Sequence, residues 1–489
     1  MGFVIGCDLG SQSVKAVLLD SDGNVVATAA EPHRMEHPRS GWAEQDPAVY
    51  CSGLRSTVQR VLRDSQVEPR DVTHIALSSQ VDGVVPIDAR NAPLRSAIIW
   101  LDCRATEQMA RFAEAAGDER CFSRTGLNLN ATHTAAKIMW LAEHEPDIYR
   151  AAACLPSVGG YALAWLVGVP IQDHAHSSAT LLYDLTDRCW SDEFAAAAGI
   201  DIGKLPRIGR AEDVAGILRP EVASELGLSR DCMVVIGTGD DQAACLGAGG
   251  VRPGIVVDMS GTAEPVGVTS TIPVFDVTRL VETHAHAVGG RYLIENPGFV
   301  SGGNTLWFAH VLGVSQLEFF ELAERSRPGA GGVRFIPALS GATAPRWNNN
   351  MRATFSGLGM NHDSADLARA VVEANAFAFR DVYDRLCELG LADSVRAVGG
   401  GSRSDLWLRT KATVCGTPIS RVATCDSSAM GAGLLAAVAA GTFRDLIEAT
   451  DAVVELDPVV VEPEPDSLEQ LEAAYQDYRT LFDTLEPIA

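Results

Sequence analysis

The sequence predicts an α/β protein made of two like-built halves that face each other across a cleft. Three observations predict it. Short apolar strands alternate with helical stretches along most of the chain. A strand–turn–strand hairpin with an aspartate at the end of its first strand occurs near the start and returns about 250 residues later. The chain has 489 residues, too many for one core, so two large domains are expected.

Composition narrows the function. Apolar residues make up 47% and charged residues 21%, ordinary values for a soluble globular enzyme. The net charge of −24 argues against nucleic acid or an anionic membrane as partner. An anionic nucleotide stays open to it if a cation and backbone donors offset the charge locally. The eleven cysteines are scattered, odd in number and without a C-x-x-C pair, the pattern of reduced thiols in a cytoplasm. No apolar run approaches ~18 residues, so no membrane span is expected. The first residues enter a strand directly, so no signal peptide is expected and the reading is cytoplasmic.

In order, Phe3 to Cys7 reads as a strand ended by Asp8. Gly10, Ser11, Gln12 and Ser13 make a turn. Val14 to Leu19, carrying Lys15, and Val25 to Ala29 are the next strands, with Asp22-Gly23 between them. Such a hairpin offers N–H and hydroxyl groups to phosphate, and Asp8 can hold magnesium through water. Alone such a hairpin is a weak signal and is more often just a turn. Val72 to Ser78 is a strand leading to Gln80, Val81, Asp82 and Gly83, and Val84 to Ile87 continues extended. Ala97 to Trp100 is a strand, while Thr106 to Ala116 and Ala135 to Glu143 are helices.

At mid-chain Met233 to Ile236 reads as a buried strand, Gly237 to Gly239 as a turn, and Gln242 to Leu246 as the start of a small-residue helix. Asp240 and Asp241 thus stand at a strand-to-helix junction, where backbone comes close to ligands. A carboxylate there can take a proton from a hydroxyl. Taken by itself the stretch favours a simple N-cap role for Asp240.

The hairpin grammar then repeats. Ile255 to Val257 is a strand ended by Asp258, Ser260-Gly261-Thr262 is the turn, and Pro265 to Val268 follows. A phosphate held by one hairpin from each half lies in the cleft between them. Gly298 to Asn304, which contains Gly303, is a glycine-rich turn before a helix from Leu306 to Leu312. Ser364 to Leu389 is a long helix capped by Asp363 or Ser364. Val395 to Val398 is a strand, followed by Gly399, Gly400, Gly401 and Ser402, then Ser404 and a helix from Asp405. Glycines between strand and helix let N–H groups approach a nucleotide. Ser427 to Ala440 is a small-residue helix. Glu455 to Asp466 reads as an acidic, proline-rich surface connector, and Leu468 to Leu485 as a closing helix.

Over nearly its whole length the chain resembles the FGGY carbohydrate kinases. Ala353 to Leu358, Asp366-Leu367 and Ala370 to Glu373 fit the family's C-terminal signature. Thr134, Lys137, Ile138, Trp140, Leu141, Glu143 and His144 fit the N-terminal one, which departs only where Thr132 stands. Gly41 to Pro47 and Ile99-Trp100 with Asp102 and Arg104 are further family-like pieces. The resemblance implies two duplicated actin/hexokinase-like (ribonuclease H-like) domains with the active site in the interdomain cleft. It divides the chain into residues 1–246, 247–442 and a closing segment 443–489. It implies phosphorylation of a sugar or polyol hydroxyl by magnesium ATP, with Asp240 as base and Asp8 and Asp240 toward Mg2+. Gly10, Ser11, Gln12, Ser13 and Lys15 look like the first phosphate hairpin and Gly261 and Thr262 like the second. Gly303, Gly400, Gly401 and Ser404 look like nucleotide-loop positions. Gln80, Val81, Asp82, Trp100 and Asp241 look like the lining of the sugar pocket. A homodimer is compatible with the resemblance.

Length and segment order look most like the xylulokinases, so D-xylulose is the expected substrate. Those sequences usually carry Q-M-H-G where Gln80-Val81-Asp82-Gly83 stands here, and an amide where Asp241 stands. Both changes replace a hydrogen-bond donor by an acceptor, so L-fuculose, L-xylulose, ribulose and erythritol stay as alternatives. A non-catalytic sugar sensor on the same fold would have lost Asp240. The pairs His174/His176 and His284/His286 lack companion metal ligands and read as ordinary loop or strand residues.

Overall fold

The computed structural model describes residues 2–339, 341, 348, 350–423 and 426–486. Its first sheet has six strands: β1 (Phe3–Leu9), β2 (Ser13–Leu19), β3 (Val25–Pro32), β4 (Val72–Ser79), β5 (Val214–Ile217) and β6 (Met233–Gly239). They lie in the order β3-β2-β1-β4-β6-β5. Successive pairs run antiparallel, antiparallel, parallel, parallel and antiparallel.

The second sheet has seven: β7 (Gly254–Met259), β8 (Val266–Ser270), β9 (Glu282–Ala285), β10 (Tyr292–Asn296), β11 (Ala392–Val398), β12 (Ile419–Val422) and β13 (Leu456–Val461). The order is β9-β10-β8-β7-β11-β12-β13. From β10 to β13 the pairs again run antiparallel, antiparallel, parallel, parallel and antiparallel. The duplication read from the two hairpins therefore extends to six strands in each half. The central strands β1, β4 and β7 read as near-continuous apolar runs because both faces are covered.

Helices α1 (Ala48–Ser65) and α4 (Val158–Val167) cover one face of the first sheet, where Leu54, Val58, Tyr161 and Leu166 share a core with Ile5 and Leu77. Between them in sequence, α2 (Thr106–Ala116) and α3 (Thr134–His144) pack Phe112, Ala135 and Ile138 into a separate side core. Next come α5 (His174–Ser178), α6 (Asp240–Gly247) and α7 (Gly302–Leu312). The long α8 (Ser364–Glu388) starts in a capping box made by Asp363 and Asp366, and α9 (Asp405–Cys415) starts at Ser404. The other face of the first sheet is covered from the far end of the chain. There α10 (Ser427–Ala439) sets Met430, Leu434 and Leu435 against Val4, Val17, Ala76 and Val235. Helix α11 (Leu446–Val453) joins that core through Leu446 and Ala449, while α12 (Pro465–Leu485) packs Tyr475, Tyr478 and Phe482 against Phe377 of α8.

Three expected elements differ. No turn separates β6 from α6: the strand runs through Gly239 and the helix starts at Asp240, while Gly237 forms an irregularity against the Leu77 carbonyl with φ +79. The acidic stretch from Glu455 is not a free connector, because Leu456–Val461 pairs with β12 as an edge strand. Strand pairing after Ser96 covers only Ala97–Ile98, so Trp100 lies in the following turn. No helix among the described residues is long and apolar enough to cross a membrane.

Candidate active site

The turn after β1 is held from beneath by its carbonyls. The Gly10 oxygen meets His33 Nε2 at 3.0 Å, the Ser11 oxygen accepts from Gln45 Nε2 at 2.7 Å, and the Gln12 oxygen accepts from the His33 amide at 2.9 Å. Among the described residues nothing takes the amides of Ser11 and Gln12. The turn therefore presents donors and hydroxyls outward, which is what an anion needs. Asp8, 5% exposed, accepts from Ser78 at 2.8 Å. Burial and then the neighbouring Asp426 push its carboxyl up to about 6, against the pull of Lys15. Lys15 itself is paired with Asp426 at 3.0 Å.

Asp240 is the first residue of α6. The N-cap is Gly239, so Asp240 is not the N-cap residue; its Oδ1 accepts from the next amide at 3.1 Å. Burial, then Asp241 and Asp8, push Asp240 up to about 8. Its position is fixed from the far end of the chain, because Ser428 of α10 donates to the Asp240 carbonyl at 3.0 Å. Asp8, Asp240 and Asp426 are hard oxygen donors whose mutual repulsion a divalent cation would relieve. No three His, Cys, Asp or Glu side chains among the described residues converge closely enough to hold a metal by themselves.

Val81 and Asp241 meet at Gly239. A Cβ there would lie 2.7 Å from both Val81 Cγ1 and Asp241 Oδ1. Asp82 adopts φ +55, and its carbonyl accepts from the buried Lys137 ammonium, which burial pushes down to about 8. Its carboxylate is 3.2 Å from His133 Nδ1. Both His133 nitrogens face carbonyls, Ala179 at 2.9 Å and Asn128 at 3.1 Å, so both carry protons. Burial opposes that charge, but Asp82 outweighs it and raises His133 to about 9. Gln80 is turned inward: its Nε2 donates to Gln45 at 3.0 Å and to Tyr50 at 2.8 Å, which ties the sugar-side segment to the first hairpin. Trp100 is half-buried. Asp102 and Arg104 form a buried pair at 2.6 Å, with Arg104 3.6 Å over the Trp42 ring.

The second hairpin is built like the first. The Gly261 carbonyl accepts from Gly302, and the Thr262 carbonyl from Ser301 and Gly303. The amide and hydroxyl of Thr262 are left without a partner among the described residues. The glycine loop sits directly on this hairpin: Gly401 donates to the Ser260 carbonyl at 2.9 Å, and a Cβ on Gly399 would come within 2.6 Å of it. Gly400 faces open space, Gly401 packs on Trp407, and Ser404 caps α9 by accepting from Trp407.

Sequence reasoning missed several neighbours. Asp426 caps the small-residue helix α10 and could have been found as an Asp immediately before it. His133, Glu282 and Glu295 carried no spacing signal, and His284 stood out only as half of a histidine pair read as ordinary; strands β9 and β10 deliver Glu282, His284 and Glu295 from the second half. His284 lies 3.3 Å from Glu295, whose carboxyl bonds Asp241 and is pushed far up by burial and by that aspartate. His174 and His176 lie on α5, and His174 meets the Tyr183 hydroxyl at 2.8 Å.

Two hairpins with free donors and a half-buried aspartate on a helix start are the parts a phosphotransferase needs, and comparison agrees. Profiles of the FGGY family of carbohydrate kinases match residues 3–247 with the N-terminal domain and 260–440 with the C-terminal domain. The xylulose kinase of Escherichia coli (strain K12) is 29% identical over 98% of each chain. The solved structure of a xyloylose kinase from Brucella ovis covers 100% of both chains at 30% identity and a TM-score of 0.90. A glycerol kinase of Nocardia farcinica is 28% identical over 90% of each chain. The chain belongs to the FGGY family of carbohydrate kinases. It is an ATP-dependent sugar kinase with the two-domain actin/hexokinase-like fold.

Proposed function

We propose that the chain transfers the terminal phosphoryl group of ATP to a ketopentose hydroxyl, converting D-xylulose to D-xylulose 5-phosphate, with Asp240 as general base. The observation that carries this is the position of Asp240. It starts α6, it is half-buried with Asp8 and Asp241 acting on it, and its carboxyl is pushed up to about 8. A base is most useful when its pKa is near the working pH. Asp240 takes the proton of the substrate hydroxyl as that oxygen attacks the phosphorus in line. The Ser11 and Gln12 amides and the Thr262 amide and hydroxyl hold phosphate oxygens. Asp8 and Asp240 would hold Mg2+, which would supply charge neutralisation at the transferring phosphate. The Asp82 and Asp241 carboxylates accept hydrogen bonds from substrate hydroxyls.

The xylulose kinases among the relatives support the ketopentose. A second reading, another polyhydroxyl substrate such as L-fuculose, L-xylulose, ribulose or erythritol, is favoured by the two acceptors at Asp82 and Asp241. Mass spectrometry and phosphorus NMR of the product formed from D-xylulose decide between them. The 5-phosphate at a high specificity constant is expected. Poor use of D-xylulose beside efficient use of another sugar would transfer the assignment.

A further inference from the structure

The duplicated sheets hold one pair of equivalent aspartates in opposite surroundings. Asp8 is the penultimate residue of β1 and Asp258 the penultimate residue of β7. Asp8, 5% exposed, accepts from Ser78 and has Lys15 and Asp426 as its charged neighbours. Asp258 is sealed beneath the second hairpin, 0% exposed. Its Oδ2 accepts from the Lys411 ammonium at 2.6 Å and its Oδ1 from the Ser260 hydroxyl at 2.8 Å. Lys411 also donates to that hydroxyl at 2.8 Å and stands 2.8 Å from Glu264 Oε1. Glu264 in turn accepts from the Ser301 hydroxyl, and the Ser301 amide donates to the Thr262 carbonyl. Lys411, Asp258, Ser260, Glu264 and Ser301 are all fully buried.

We propose that Lys411 is a positioning residue for the nucleotide, an internal cation that clamps both ends of the second phosphate hairpin. Ser260 precedes Gly261-Thr262 and Glu264 follows it, so one ammonium grips the loop on either side. In the first half the equivalent aspartate is left free for an exchangeable cation. In the second half a side chain has taken the cation's place, and the loop is fixed before nucleotide arrives. Pre-set donors lose less conformational freedom on binding, so their order is worth affinity. Burial pushes the Glu264 carboxyl up to about 8, against the pull of Lys411. The ammonium also sits 5.0 Å from the rings of Phe379 and Trp407, and Trp407 underlies Gly401 of the nucleotide loop. The inference rests on the kinase reading above.

The test uses the full chain with Mg2+ and compares Lys411→Met and Ser260→Ala with wild type. Dissociation constants for ATP are measured by calorimetry, and KM is measured for ATP and for the best sugar. Lys411→Met is expected to weaken ATP about tenfold in both Kd and KM, with the sugar KM within about twofold. Ser260→Ala, which keeps the ion pair, is expected to weaken ATP about threefold in the same sense. Loss of packing alone would lower the active fraction without separating the two substrates. Nucleotide affinity unchanged in folded Lys411→Met overturns the proposal. If that variant does not fold, unchanged ATP affinity in Ser260→Ala overturns it. A wild-type chain that binds no nucleotide overturns the kinase reading and this proposal with it.

Discussion

Gly431 of α10 lies directly on the Ala243 carbonyl of α6, and a Cβ at residue 431 would stand 1.9 Å from that oxygen. This contact joins the helix that begins at Asp240 to the helix that covers the first sheet. It sets how far Asp240 is from Asp8. Gly431→Val has no room to relax, because its neighbour is backbone. A loss of more than about 3 kcal/mol in unfolding free energy is expected by denaturant titration, with activity falling in step. A stable, fully active variant would mean that this junction does not position the site.

Asp240→Asn removes the base and keeps the shape. A fall in kcat of about 100- to 10,000-fold is expected, with ATP and sugar affinities little changed. Near-normal turnover in the amide variant would remove Asp240 from its assigned role.

Asp82→His restores a donor at the sugar side. The ratio of specificity constants for D-xylulose against L-fuculose is expected to rise, and a hydrogen-bond change of this type can move selectivity by orders of magnitude. An unchanged substrate ranking would show that Asp82 serves only to hold His133 and Lys137.

His286 tests the electrostatics of the fold. Its Nδ1 accepts from the Val288 amide at 2.9 Å and its Nε2 meets the Thr269 hydroxyl at 3.1 Å, so the ring is held neutral. Burial, with Arg291 nearby, pushes it down to about 3. The unfolded chain therefore binds a proton below about pH 6.5 that the folded chain refuses, and stability falls with pH in that window. Between pH 7 and 4 the wild type is expected to lose about 2–3 kcal/mol more than His286→Gln, measured by urea unfolding. Parallel losses in the two chains would contradict the buried neutral ring.

The sequence made the frame of this molecule readable and left its pocket largely hidden. Paired hairpins ending in Asp8 and Asp258 revealed the duplication, because strand ends and tight turns leave local signals. The residues Asp240, Asp82 and Lys137 could be picked out from short motifs. Glu295 and Glu282 could not, and His284 was seen only as half of a histidine pair, because they approach Asp241 and His133 on strands from the opposite half, and single-chain spacing carries no trace of that approach. The edge strand Leu456–Val461 was obscured by flanking acids and prolines, which mark both connectors and protected sheet edges. The Lys411 cluster was equally silent, since the lysine and its partner Asp258 are far apart in sequence and meet only in the core.

The most direct test of the account is ADP release by the purified chain with magnesium ATP, measured with and without added sugar across ketopentoses, deoxyketoses and polyols. Low release alone and a large increase with D-xylulose, saturating in both substrates, are expected. Release that is indifferent to every sugar in the panel, with ATP still bound, would contradict it.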